Sequence, residues 1–89
     1  MKAIVSVTGK DKTGIIAGVS ATLSECGVNI LDISQTVLQD YFAMIMLVDL
    51  QACQMPFPDL SDRLTETGKD ICMDIRIMRE EIFDAMHRI

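Results

Sequence analysis

Two short stretches of this chain carry groups suited to holding a small zwitterion. The first is Gly9-Lys10-Asp11-Lys12-Thr13-Gly14-Ile15, and the second is Gly27-Val28-Asn29-Ile30. A free amino acid needs N–H donors around its carboxylate and oxygen acceptors around its ammonium. A turn from Asp11 to Ile15 that opens a helix presents unpaired backbone N–H groups, and a helix start favours an anion. Asp11 adds a charged acceptor, and the Asn29 side chain offers both a donor and an acceptor. Gly9 and Gly14 let the chain turn tightly and leave room for a ligand to approach the backbone. Each feature also has a plain structural reading. Glycine is common in strand-to-helix turns, Asn29 suits a turn before a strand, and Asp11 suits an exposed loop. The candidate ligand-binding residues are Asp11, Lys12, Thr13, Gly14, Ile15, Asn29 and Ile30.

Other chemistries are poorly served. A phosphate loop requires Lys-Ser/Thr after the second glycine, but Ile15 and Ile16 follow Gly14. No Gly-x-Gly-x-x-Gly occurs, so dinucleotide binding is not expected. The one histidine, His87, has no serine, cysteine and acid arranged as a relay and reads as a cation near a helix C-terminus. Glu80, Glu81 and Asp11 read as solvated acids, and no catalytic residue is assigned. Cys26, Cys53 and Cys72 are far apart with no Cys-x-x-Cys pair, which argues against zinc and for reduced, mostly buried thiols in a cytoplasmic protein. Met44, Met46, Met73 and Met78 alternate along strands as core filling, and no metal or other cofactor is expected.

Composition narrows the partners. The formal net charge is −5. An acidic surface repels phosphate backbones and anionic lipid, so neither direct nucleic-acid binding nor membrane binding is expected. Aromatics are only 4%, with Phe42 the sole candidate for base stacking on a central strand. The start Met-Lys-Ala-Ile-Val is interrupted by Ser6 and Thr8 and has no cleavage pattern, so no leader is expected.

Periodicity supplies the elements that must position these residues. Ala3, Val5 and Val7 alternate with Lys2, Ile4, Ser6 and Thr8, which predicts a strand over 2–8. Thr13 or Gly14 caps the following helix, whose stripe is Ile16, Val19, Leu23 and Cys26, with Gly27 as the stop. Ala17, Gly18, Ser20 and Ala21 are small enough to pack closely on a sheet. A second strand, 28–39, changes apolar phase between Ile30 and Ile33, which predicts a bulge near Leu31-Asp32. Gln39-Asp40-Tyr41 is a hairpin connection to a strand over 42–50. That strand is apolar on both faces, so its second face needs cover from a terminal helix or a partner subunit. Pro56-Phe57-Pro58 starts a helix with Phe57, Leu60 and Leu64 on one face and Gly68 as its stop. Ile71, Met73, Ile75 and Ile77 alternate inward on a fourth strand, and Ile82, Phe83, Met86 and Ile89 line one side of a terminal helix.

The βαββαβ order predicts an α+β, ferredoxin-like sandwich with antiparallel sheet order 4-1-3-2 plus a C-terminal helix, in one domain over residues 1–89. With the Gly-x-Asp-x-x-Gly-Ile loop, the Asn29-Ile30 strand start and the later apolar strand, the chain resembles an ACT domain. More narrowly, it resembles the stand-alone bacterial ACT proteins related to the glycine-cleavage-system repressor. The resemblance implies a regulatory module that senses a free amino acid at a homodimer interface. It places Asp11, Thr13 and Gly14 of one subunit opposite Asn29 and Ile30 of its neighbour. The alternative is a protein-interaction module of the same fold without a ligand, acting on a protein partner. The 28–39 strand is an edge in this order and carries one charge, Asp32, so it is the expected dimer edge.

Overall fold

The computed structural model describes the backbone of residues 1–87 and the side chains of residues 1–84. The elements are β1 (Lys2–Lys10), α1 (Ile15–Glu25), β2 (Asn29–Leu38), β3 (Tyr41–Asp49), α2 (Phe57–Ile71), β4 (Asp74–Arg79) and α3 (Glu80–His87). Alternation in β1 sets the centre: Ala3, Val5 and Val7 are fully buried while Ile4 and Ser6 are half-buried. β1 pairs antiparallel with both β3 and β4, and β2 pairs with the far side of β3. The sheet order β2-β3-β1-β4 is the expected 4-1-3-2 seen from the opposite edge. Register aligns Val5 with Met46 and Ile77, and Val7 with Met44 and Ile75. The apolar rows on that face meet Val19 and Leu23 of α1 and Leu60 and Leu64 of α2, forming one core.

The bulge falls where the phase change demands it. Ile30 pairs with Val48 and Asp32 with Leu47, which leaves Leu31 as the extra residue. Beyond it, Ile33, Gln35 and Val37 share the helix-side face with Ile30. That face is not buried, however: Ile33 is 41% exposed and Val37 49%.

Both helix ends before a strand close with paired bonds to the last carbonyls. After α1, Gly27 (φ 74) donates to the Ser24 carbonyl at 3.1 Å, and Val28 to Leu23 at 2.9 Å. The expected stop of α2 at Gly68 is wrong. The helix continues to Ile71, and Cys72 takes the left-handed conformation, φ 57 and ψ 44, that glycine usually holds. Gly68 serves packing instead. It is buried, its carbonyl accepts from Met73 N–H at 2.8 Å, and an added Cβ would sit 2.5 Å from the Met73 carbonyl oxygen.

Other expectations are also corrected. Ile15 (3% exposed), not Ile16, takes the first core position of α1, because the helix begins one residue earlier in phase than the stripe suggested. Ala17 and Ala21 face solvent rather than the sheet, and Gly18 faces Ile71 of α2. Ile71 belongs to α2, not to the fourth strand. Among the described residues α3 packs on β1 and β4 and does not reach β3, so Ile45 on the second face of β3 stays 47% exposed. Ile82 is 47% exposed rather than packed. Met86 and Ile89, and the side chain of His87, lie outside the described residues.

Gly68→Ala adds a methyl group against backbone that has no room to yield. The expected cost is about 1–3 kcal/mol, even though alanine favours helix over glycine by roughly 1 kcal/mol. Urea denaturation checks it: a lower midpoint with unchanged slope is the expected outcome.

Candidate functional site

The start of α1 is bare. Its N-cap is Gly14 at φ 89 and ψ 0, with no side-chain cap and no acidic residue in the first turn. Gly18 is the first residue to bond back, to the Gly14 carbonyl at 2.9 Å. The N–H groups of Ile15, Ile16 and Ala17 therefore have no acceptor within the helix, and the helix dipole adds positive potential there. Thr13 is exposed and does not cap. The Asp11 N–H is already used, donating to the Asp40 carbonyl at 2.7 Å, so the usable donors of the turn begin after Asp11. The side chains of Asp11 and Lys12 are exposed. Ile15 offers only its N–H, since its side chain is in the core.

The helix-side face of β2 and the facing side of α1 bound two clefts. The first, about 290 Å³, is lined by Asp11, Lys12, Gly14 and Ile15 of the turn, Ile16 and Ala17 of α1, Gln35 and Val37 of β2, and Phe42 of β3. The second, about 420 Å³, is lined by Ser20, Ser24, Gly27, Val28, Asn29 and Ile30. The candidate residues are thus divided between opposite ends of β2. At about 3.3 Å per residue, Ile30 and Val37 are separated by roughly 23 Å. A single subunit does not bring the Asp11 turn to Asn29.

Sequence reasoning missed Ile16, Ala17, Ser20, Ser24, Gln35 and Val37 as lining. The available signal was the 17-20-24 spacing of small residues on α1, which marks one helix face. Beside the second cleft, Cys26 is buried, and burial raises its thiol pKa, opposed by Arg63. The three thiols are free. No helix of the described residues is long and apolar enough to cross a membrane.

The family model for the ACT domain matches residues 2–77. This chain is an ACT domain. It is 53% identical over all 89 residues, covering 100% of both chains, to a UPF0237 protein of Clostridium acetobutylicum. Among solved structures, an ACT domain protein from Streptococcus pneumoniae matches with TM-score 0.83 at 45% identity over 98% of each chain. A candidate glycine cleavage system transcriptional repressor shares the fold, with TM-score 0.68. That match has 20% identity over 86% of this chain and 44% of that one, so it covers one part of a longer protein. The resemblance of the chain to ACT domains is therefore correct.

Gly14 has open space around it but a left-handed backbone, so Gly14→Val is expected to cost about 1–3 kcal/mol through backbone strain alone. Asn29→Ala, at an exposed position, is expected to fall within about 0.5 kcal/mol of the parent. Chemical denaturation separates the two. Alkylation of the native protein should label exposed Cys72 first and Cys26 last. Because the folded Cys26 thiol holds its proton above its unfolded value, its contribution is present below the ordinary thiol range. That contribution is lost as pH climbs through the folded pKa.

Proposed function

We propose that this ACT domain is a cytoplasmic regulatory module that binds a free amino acid between two copies of the chain. The observation that carries the reading is the uncapped start of α1, opening onto a cleft beside an unprotected sheet edge. β2 carries a single charge, Asp32, whereas the opposite edge strand β4 carries Asp74, Arg76 and Arg79. A sheet edge without charges invites pairing with another strand. Antiparallel pairing of β2 with β2 of a second copy sets the Leu38 end of one strand against the Asn29 end of the other. The two half-sites, roughly 23 Å apart within a subunit by strand rise, then face each other twice across the two-fold axis.

Each group has a role on this reading. The N–H groups at the start of α1 and Lys12 hold the carboxylate. Asp11 takes the ammonium, and Asn29 of the partner subunit closes the site with its amide. Regulation follows from binding and not from catalysis, and no reaction is assigned. Resemblance to a candidate transcriptional repressor supports a regulatory role at the level of fold.

Light scattering at micromolar concentration is expected to give the dimer mass, and a monomer mass would remove the shared site. A thermal-shift series with the twenty amino acids at millimolar concentration is expected to find a stabilising ligand. At 100 times its dissociation constant, a native-only ligand adds about 2.7 kcal/mol. With about 4–8 °C per kcal/mol for a domain of this size, the shift is roughly 10 °C or more. Asn29→Ala should cancel the shift while leaving the unliganded melting point in place. If the dimer forms and none of the twenty amino acids moves its melting point, the protein-interaction reading replaces this one.

A further inference from the structure

Resting on the amino-acid reading above, we infer that the ligand carries a branched aliphatic side chain, that of valine, leucine or isoleucine. The first cleft combines a few polar groups with a mainly apolar lining. Asp11, Lys12 and the free N–H groups of α1 gather at the turn and suffice for the ammonium and carboxylate. The rest of the lining is the apolar Ile16, Ala17, Val37 and buried Phe42 (4% exposed), with Gln35 the one polar residue among them.

Ile16 and Val37 sit on different elements yet share this cleft, and the fold covers neither: Ile16 is 39% exposed and Val37 49%. Single exposed apolar residues are ordinary and need no explanation. Two lining one cleft together with Asp11 and Lys12 offer exposed apolar surface that an apolar side chain covers and a charged one does not. A charged or hydroxyl-bearing side chain laid on Ile16 and Val37 would cover apolar surface and find only Gln35 as a polar partner beside them. The cleft volume, about 290 Å³, is at the bottom of the range for ligand pockets, roughly 300–1,000 Å³, which suits a single amino acid.

Calorimetric titration of the full chain tests this with valine, leucine and isoleucine set against serine, threonine, glutamine, aspartate and lysine. An aliphatic amino acid is expected to bind at least tenfold more tightly than any of the polar or charged ones. Val37→Thr keeps the shape and strand preference of the residue at an exposed position but puts a hydroxyl in the cleft. It should weaken the aliphatic ligand about tenfold and leave the unliganded melting point nearly unchanged. Ile16→Ala should weaken it similarly from the α1 side. If a polar or charged amino acid binds most tightly, or if both variants bind the aliphatic ligand as the parent does, the inference falls while the amino-acid reading stands. If no amino acid binds, the amino-acid reading falls and takes this inference with it.

Discussion

The close approach of α1 to α2 decides where this fold is open. The hydroxyls of Thr22 and Thr67 meet at 2.7 Å between the two helices, and Gly18 of α1 faces Ile71 of α2. Arg63 and Glu25 add an ion pair across the same seam. α2 in turn is held on β4 by Gly68, which admits the Met73 backbone where a side chain would clash. Four strands about 4.8 Å apart make a sheet that two helices about 10 Å wide could just cover if evenly spread. α2 lies on β4 and meets α1, and the helix-side face of β2 beyond Ile30 is left in water. Both clefts described above lie between α1 and β2.

β2 is an edge strand like β4, but its apolar side chains are the more exposed. Its backbone edge is unpaired, and Leu31, Ile33, Val37 and Leu38 are 43%, 41%, 49% and 71% exposed. Proteins usually blunt such an edge with charge, a bulge or a cover. Here the bulge at Leu31 is present, but its neighbour Asp32 accepts from the Ile33 N–H at 2.9 Å and is tied to its own strand. The acidic surface keeps copies apart in general while this strand stays nearly uncharged, so pairing through it is the contact least opposed by repulsion.

Element order, sheet order and the bulge were legible because they follow from period and phase in β1, β2 and β3, where one face is buried or wants to be. The failures share one cause, which is that helix stripes record apolar residues and not what lies across from them. Gly68 looks like a terminator until the Met73 backbone is seen beside it, and Cys72 in the left-handed position carries no sequence mark. Ile15 and Ile16 are chemically alike, so periodicity alone could not say which one enters the core. For the candidate site, the turn and Asn29 were visible as residue types. Their separation along β2, and the part played by Gln35 and Val37, depend on the lateral placement of α1, which no local pattern encodes.

A site divided between two subunits ties ligand to assembly by mass action. A ligand that needs the turn of one copy and Asn29 of the other binds the dimer and hardly at all the monomer. Two-fold symmetry makes two such sites. At ligand concentrations of 100 times the dissociation constant, each site favours the dimer by about 2.7 kcal/mol, or roughly 100-fold, and two independent sites raise the association constant by about 10⁴-fold. The open edge needs only modest affinity of its own for this to work, because an edge that paired tightly without ligand would already be saturated. The exposed, weakly charged but not strongly apolar face of β2, with Ser34, Gln35 and Thr36 between its hydrophobic ends, fits that requirement. On the proposed reading, ligand concentration is converted into dimer fraction without any change in the fold of a subunit, and a surface formed only in the dimer is the signal that a further protein would read.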